Sequence, residues 1–176
     1  AVDVSGPEAD RVLTRIEGDR LKIWERNRPW FGPDRRVNAR VSITMPAITG
    51  LAAARGASLQ AEGIQAQDIA LAAAMGADLR VSGACRAVEA SAAMGAMLRA
   101  GDLHCASADV SGAMGAGVWV YASENFDASA AMGSAINVAG GGHGDSSAAM
   151  GGTINVADGG KVDHRAASLG GEITQN

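Results

Sequence analysis

Four carboxylates recur at regular intervals in this chain: Glu89, Asp109, Asp127 and Asp145, with His164 next in the series. Each stands five residues before a bulky residue that is itself followed by glycine. Two residues after each carboxylate comes a serine (Ser91, Ser111, Ser129, Ser147), and two after that an alanine (Ala93, Ala113, Ala131, Ala149). Evenly repeated carboxylates repel one another if stacked, so something should offset them. A hard cation would, and Ca²⁺ takes oxygen ligands; Asp109, Asp127 and Asp145 are then the residues to hold it. Carboxylate pairs also cleave glycosidic bonds as acid and nucleophile. The plain alternative is a solvated charged strip. The serines and alanines form a flat strip of small side chains that could pack on another sheet, including a second copy, or could simply suit the stacking.

Other reactive residues are sparser. Cys85 and Cys105 each lie nine residues before their reference methionine. That spacing is compatible with a disulfide, but parallel stacked Cβ vectors make the torsion awkward. Cysteine is also a common small buried residue, which favours two unbridged thiols. His104, His143 and His164 sit at different offsets and form no column, and no Ser/His/Asp arrangement stands out. Trp119, outward by parity, and the nearby Tyr121 could stack on a sugar or shield a loop. The run Gly140-Gly141-Gly142-His143-Gly144 lacks the lysine of a phosphate loop and reads as a turn.

The elements that position these residues follow from the repeat. The pairs are Arg55-Gly56, Met75-Gly76, Met94-Gly95, Met114-Gly115, Met132-Gly133, Met150-Gly151 and Leu169-Gly170, at steps of 20, 19, 20, 18, 18 and 19 residues. A period near 19 residues is too short for helical hairpins and fits a coil of β-structure. Around Met75, residues Leu71, Ala73, Ala77, Leu79 and Val81 alternate with polar ones, and the same holds around the later methionines. Strict alternation marks strands, and the methionines, sharing this parity, are expected to face inward. The glycine after each is read as the corner between strands. Seven coils, stacked about 4.8 Å apart, bury a continuous core that no single coil can. A β-sandwich would not keep the same residues in register over six intervals. Arg55 is the exception in the bulky column: either it reaches a carboxylate under the cap, or the first coil is distorted and Arg55 is exposed.

Residues 1–46 do not repeat. Arg11–Ile16 and Arg20–Trp24 read as two strands joined by a Gly18-Asp19 turn, Asn27–Arg36 as a loop, and Val37–Met45 as another strand ended by Pro46. This block is a candidate cap for the first coil. The last repeat has no such counterpart; its open end is truncated, paired with a partner, or tolerated because it is polar.

Composition agrees. The 176 residues include 24 glycines and only 3% aromatics, so the core must be narrow and filled by small and aliphatic side chains. Residues 1–45 are net +2 and residues 46–176 net −6. An acidic body argues against nucleic acid. No apolar run reaches membrane-spanning length, and the polar opening Ala1–Gly6 suits a mature, processed protein.

The hairpin ending in Gly18-Asp19-Arg20-Leu21-Lys22-Ile23, the Trp/Arg-rich loop, the strand Val41-Ser42-Ile43-Thr44-Met45-Pro46 and the short Gly-containing coils together resemble the bacterial head GIN domain family, labelled as auto-transporter adhesins. The resemblance covers most of the chain, although Ala-Ala-Met-Gly replaces the family's Ser-Gly-rich coils and its opening strand pair is curtailed. It implies a right-handed parallel β-helix in an exported or cell-envelope protein, without catalytic residues. The sequence is thus read as one all-β domain over 1–176, with strands and cap over 1–46 and coils over 47–176. The expected function is a non-enzymatic adhesion, interaction or self-assembly module, located in the periplasm, on the outer surface or secreted from a bacterium. It would act on a surface protein, a glycan or its own copy through Glu89, Asp109, Asp127, Asp145, the four serines and Trp119, with no cofactor unless Ca²⁺. The alternative is a polysaccharide-active β-helix enzyme using the same carboxylates.

Overall fold

The computed structural model describes residues 2–5, 12–17, 20–25, 40–43 and 47–176. The chain divides into two compact units, Ala1–Pro46 and Ala47–Asn176. In the first, β1 (Val2–Ser5) pairs antiparallel with β4 (Arg40–Ile43), and β2 (Val12–Glu17) pairs antiparallel with β3 (Arg20–Glu25). The two strands of the hairpin fall where the sequence places them, and Lys22 reaches the Glu17 carboxylate across it. The β1–β4 pairing was not anticipated: Val2–Ser5 forms a strand of its own beside Arg40–Ile43. The Gly18-Asp19 turn, the Asn27–Arg36 loop and Thr44–Pro46 lie outside the described residues.

The second unit is a parallel β-solenoid of about seven turns. Its strands are β5 (Gly50–Ala54), β6 (Ser58–Ala74), β7 (Asp78–Ala93), β8 (Met97–Ala113), β9 (Gly117–Ala131), β10 (Ala135–Ala139), β11 (His143–Ala149), β12 (Thr153–Val156), β13 (Lys161–Ser168) and β14 (Glu172–Gln175). Through β9 each coil is almost one continuous, bent strand. Ser82-Gly83 and Gly101-Asp102, which read as turns between repeats, lie inside β7 and β8 where the register shifts. From the fifth coil on, Gly140–Gly142 and Asp158–Gly160 divide the strand in two, and His143-Gly144 already belong to β11.

Inward positions fall where the alternation puts them. Leu71, Ala73, Ala77, Leu79 and Val81 are buried, as are their counterparts through Ala148, Ile154 and Val156. The largest fully buried side chains are leucines, isoleucines and valines such as Leu79, Leu98, Leu103, Ile136 and Val118. Each contributes roughly 1.5–3 kcal/mol by burial. In coil three the inward parity slips by one residue between Cys105 and Ala108, so the wall bends there. In the last two coils two of the inward columns turn polar. Arg165 continues the column of Ala128 and Ser146, Gln175 that of Val138 and Val156, and the Arg165 guanidinium donates to Gln175 Oε1 at 2.7 Å.

The methionines correct the sequence reading. Met75, Met94, Met114, Met132 and Met150 point outward, between 44% and 50% exposed. Each occupies the first central position of a two-residue turn, with φ between 49° and 54°, and the following glycine has φ between 69° and 74°. Positive φ at both centres defines a type I′ turn, closed by bonds such as Ala77 N–H to Ala74 C=O at 3.2 Å. Because the turn consumes two residues, Ala73 and Ala77 keep the same parity while the residue between them is thrown outside. The turns also stack: the N–H groups of Gly56, Gly76, Gly95 and Gly115 each donate to the methionine carbonyl of the next coil at 3.0 Å. Arg55 sits in the same regular turn at φ 58° and is exposed, so the first coil is not distorted. Asn, Asp or Gly adopts this backbone cheaply, whereas methionine pays about 1–2 kcal/mol.

Cys85 and Cys105 are joined in a disulfide, contrary to the expectation of free thiols. They are direct register partners with Cα atoms 4.6 Å apart. In their own pairing the register shifts once, between Arg80 and Ser82, and then runs unbroken from Ser82–Asp102 to Ala93–Ala113, which sets the two cysteines directly side by side.

Two measurements check this architecture. Reducing the disulfide, or Cys85→Ser with Cys105→Ser, should lower unfolding free energy in urea by about 3 kcal/mol, the value for a loop of this length. An unchanged midpoint would mean the cross-link adds nothing to coils already paired. Gly115→Ala should cost only its φ strain of roughly 1–2 kcal/mol, because nothing lies within 4 Å of the added methyl. Gly144→Ala should be far worse, since its Cβ would fall 1.7 Å from the Phe126 carbonyl oxygen.

Candidate binding face and its carboxylate column

The stacked register brings the repeated polar residues together. Glu89 pairs with Asp109, Asp109 with Asp127, Asp127 with Asp145, and Asp145 with His164. The serines Ser91, Ser111, Ser129 and Ser147 stack in a second column, and Ala93 lies against Ala113 and Ala131 against Ala149 in a third. The carboxylates and serines are exposed and the alanines half-buried. This arm of each coil therefore carries three parallel strips at a repeat of about 4.8 Å.

Beside the carboxylates runs an open groove of about 970 Å³. Ile69, Val88, Ala108 and Phe126 form its floor, and Glu89, Asp109 and Asp127 stand along it. Phe126 was missed in the sequence. It is the inward neighbour of Asp127 and keeps the inward parity of Val120, Ala122, Ala128 and Ala130. Asp68 also lines the groove and pairs with the Arg86 guanidinium. Among the described residues, no cation pairs with Glu89, Asp109 or Asp127.

Asp145 lies apart, in a smaller hollow of about 270 Å³ with Asp127, Ser146, Ser147, His164 and Arg165. His164 Nδ1 donates to Asp145 Oδ1 at 2.8 Å, and His143 meets Asp163 at 3.2 Å. The hydrogen bond to Asp145 and then its charge raise the His164 pKa above 6.5, with Asp163 adding to the effect. The like-charged column is thus offset at its last step by a histidine on the neighbouring coil.

Trp119 is not part of this face. It stands in another column, between Arg99 and Asn137, with the Arg99 guanidinium 5.9 Å from its ring centre. Arg99 also pairs with Asp78 at 3.0 Å. Tyr121 packs edge-on against His104, centroids 4.4 Å apart. Among the described residues no three His, Cys, Asp or Glu converge on a point that could hold a metal ion. A calcium ion on Asp109, Asp127 and Asp145 would therefore need further oxygens from a partner to reach the six to eight it takes.

The family model of the "Putative auto-transporter adhesin, head GIN domain" matches residues 1–142. The chain belongs to this family. The match takes in the N-terminal unit and the first four coils of the head GIN domain, including Glu89, Asp109 and Asp127, and ends within the Gly140–Gly142 break. Asp145, His164 and the last coils lie beyond it. No curated protein and no solved structure matches the chain. Among the described residues, no helix is long and apolar enough to cross a membrane.

The raised His164 pKa gives a signed prediction. A histidine whose folded pKa exceeds its unfolded value stabilises the fold fully below about pH 6.5, and the contribution fades as pH rises through the folded pKa. Wild type should therefore melt higher than His164→Asn at about pH 5.5, and the gap should close by about pH 8.5. A gap that widens with pH would reverse the assignment.

Proposed function

We propose that this head GIN domain is a non-enzymatic interaction module of the bacterial cell envelope or surface, working through its carboxylate and serine columns. The observation that carries the reading is the register of Glu89, Asp109, Asp127 and Asp145 on consecutive coils, beside an open groove. Such a face offers the same chemistry at every step along the axis, which suits an extended partner contacted repeatedly, where weak contacts add through multivalency. The partner is a surface protein, a glycan or a second copy of the chain. Calcium enters as a bridge, held between Asp109, Asp127 or Asp145 and oxygens of that partner. The family's description as an adhesin supports a surface role. So does the Cys85–Cys105 disulfide, since such bonds persist in oxidising compartments outside the cytosol.

The geometry favours this reading over polysaccharide cleavage. Glycoside hydrolysis needs two carboxylates flanking one bond, whereas these project side by side from one wall.

The test compares wild type with Glu89→Gln/Asp109→Asn/Asp127→Asn. Solution mass and binding to glycan and surface-protein arrays are followed, each with calcium and with chelator. Wild type should self-associate or bind, and the variant should lose that while folding normally, with a stability gain of a few tenths of a kcal/mol from relieved repulsion. A monomer that binds nothing under any condition, or a variant that behaves as wild type, would sink the proposal. Turnover of a glycan by wild type but not by the variant would revive the enzyme reading.

A further inference from the structure

The outward methionines form a second column, separate from the carboxylate face. Met75, Met94, Met114, Met132 and Met150 occupy the same turn position on five successive coils. Leu169 continues the column and is 80% exposed, whereas the methionines are between 44% and 50% exposed. The difference is what neighbours on two sides rather than one would produce, so the thioether side chains lie along one another. Leu169 also shows that an aliphatic side chain is accepted at this φ. Bulk alone does not require sulfur, yet the five positions between Arg55 and Leu169 all carry it.

We infer that this column binds soft monovalent metal ions, Cu(I) or Ag(I), through thioether sulfurs of adjacent coils. Thioethers select soft ions of this kind and leave hard cations to oxygen ligands. Neighbouring coils stand about 4.8 Å apart, and methionine has three rotatable bonds beyond its backbone with which to turn its sulfur. Two or three sulfurs can therefore converge on one ion without moving the wall. Competing donors at the corner are few. The carbonyls of all five methionines already accept the glycine N–H of the preceding coil, and the turn contains only Ala, Met and Gly, with a single serine at Ser134. Both cysteines are in the disulfide, so no free thiol outcompetes the thioethers. Binding is simple ligand exchange: sulfur lone pairs replace water on an ion that arrives already monovalent, and no electron is transferred.

Silver(I) nitrate in chloride-free buffer is the probe, because Ag(I) is redox-stable and shares Cu(I) chemistry. The disulfide-intact chain, labelled with ¹³C at the methionine methyls, is titrated and followed by methyl NMR and native mass spectrometry. Methyl signals of Met94, Met114 and Met132 should shift together as an ion is retained. That of Met97, half-buried at the start of β8 with its sulfur packed against Gly117, should not. Met94→Leu/Met114→Leu/Met132→Leu should lose the retained ion with an unchanged circular dichroism spectrum. Unshifted corner methyls in wild type would overturn the inference whatever the variant does. So would equal retention by a folded leucine variant, which would place the ion on histidine or carboxylate.

Discussion

The stacked corner governs this solenoid. A methionine and a glycine, both at positive φ, reverse the chain in two residues, and the glycine N–H bonds to the corner of the next coil. That bond fixes where each coil stops relative to its neighbour. Once the corners are aligned, the strand leading into them is aligned as well, because a parallel ladder admits no slip without turning its apolar residues outward. The continuous core and the serine and carboxylate columns are consequences of one repeated turn.

The same alignment creates the electrostatic character of the outer wall. Residues separated by 18 to 20 positions in sequence become nearest neighbours, so a preference for aspartate at one offset becomes a row of like charges. Cross-strand pairing would penalise such a row, and exposure to water keeps that penalty small. His164 relieves it at one end through Asp145, and Arg86 attends to Asp68 beside the groove. Glu89, Asp109 and Asp127 keep acceptor capacity toward solvent, which is the chemical character an approaching partner would meet.

Much of this was legible in the sequence because a solenoid writes its third dimension into a period. The spacing of the bulky-Gly pairs gave the coil length, and alternation gave the buried residues from Leu71 to Val156. The columns followed by counting. What escaped was local. Parity is identical whether the residue between Ala73 and Ala77 points in or is expelled by a two-residue turn, so Met75 and its equivalents were placed on the wrong side. Cys85 and Cys105 were correctly adjacent, but the Cα separation of 4.6 Å that lets them bond leaves no mark in composition. Phe126 shares the inward parity of Ala128 and Ala130, but parity alone does not show which inward residue borders a groove. Trp119 was grouped with the carboxylates because outward parity does not say which wall of the coil a residue is on.

The disulfide between coils two and three changes what happens when the chain is drawn out by its ends. A coil of about 19 residues that peels from the stack lengthens the tether by about 65 Å, at roughly 3.4 Å per residue. The residues between Cys85 and Cys105 are bypassed by the bridge and release almost none of that length. Tension travelling along the chain passes from one sulfur to the other and leaves that loop slack. The coils on either side can pay out as a shock absorber would, with Cys85–Cys105 as the knot that does not run.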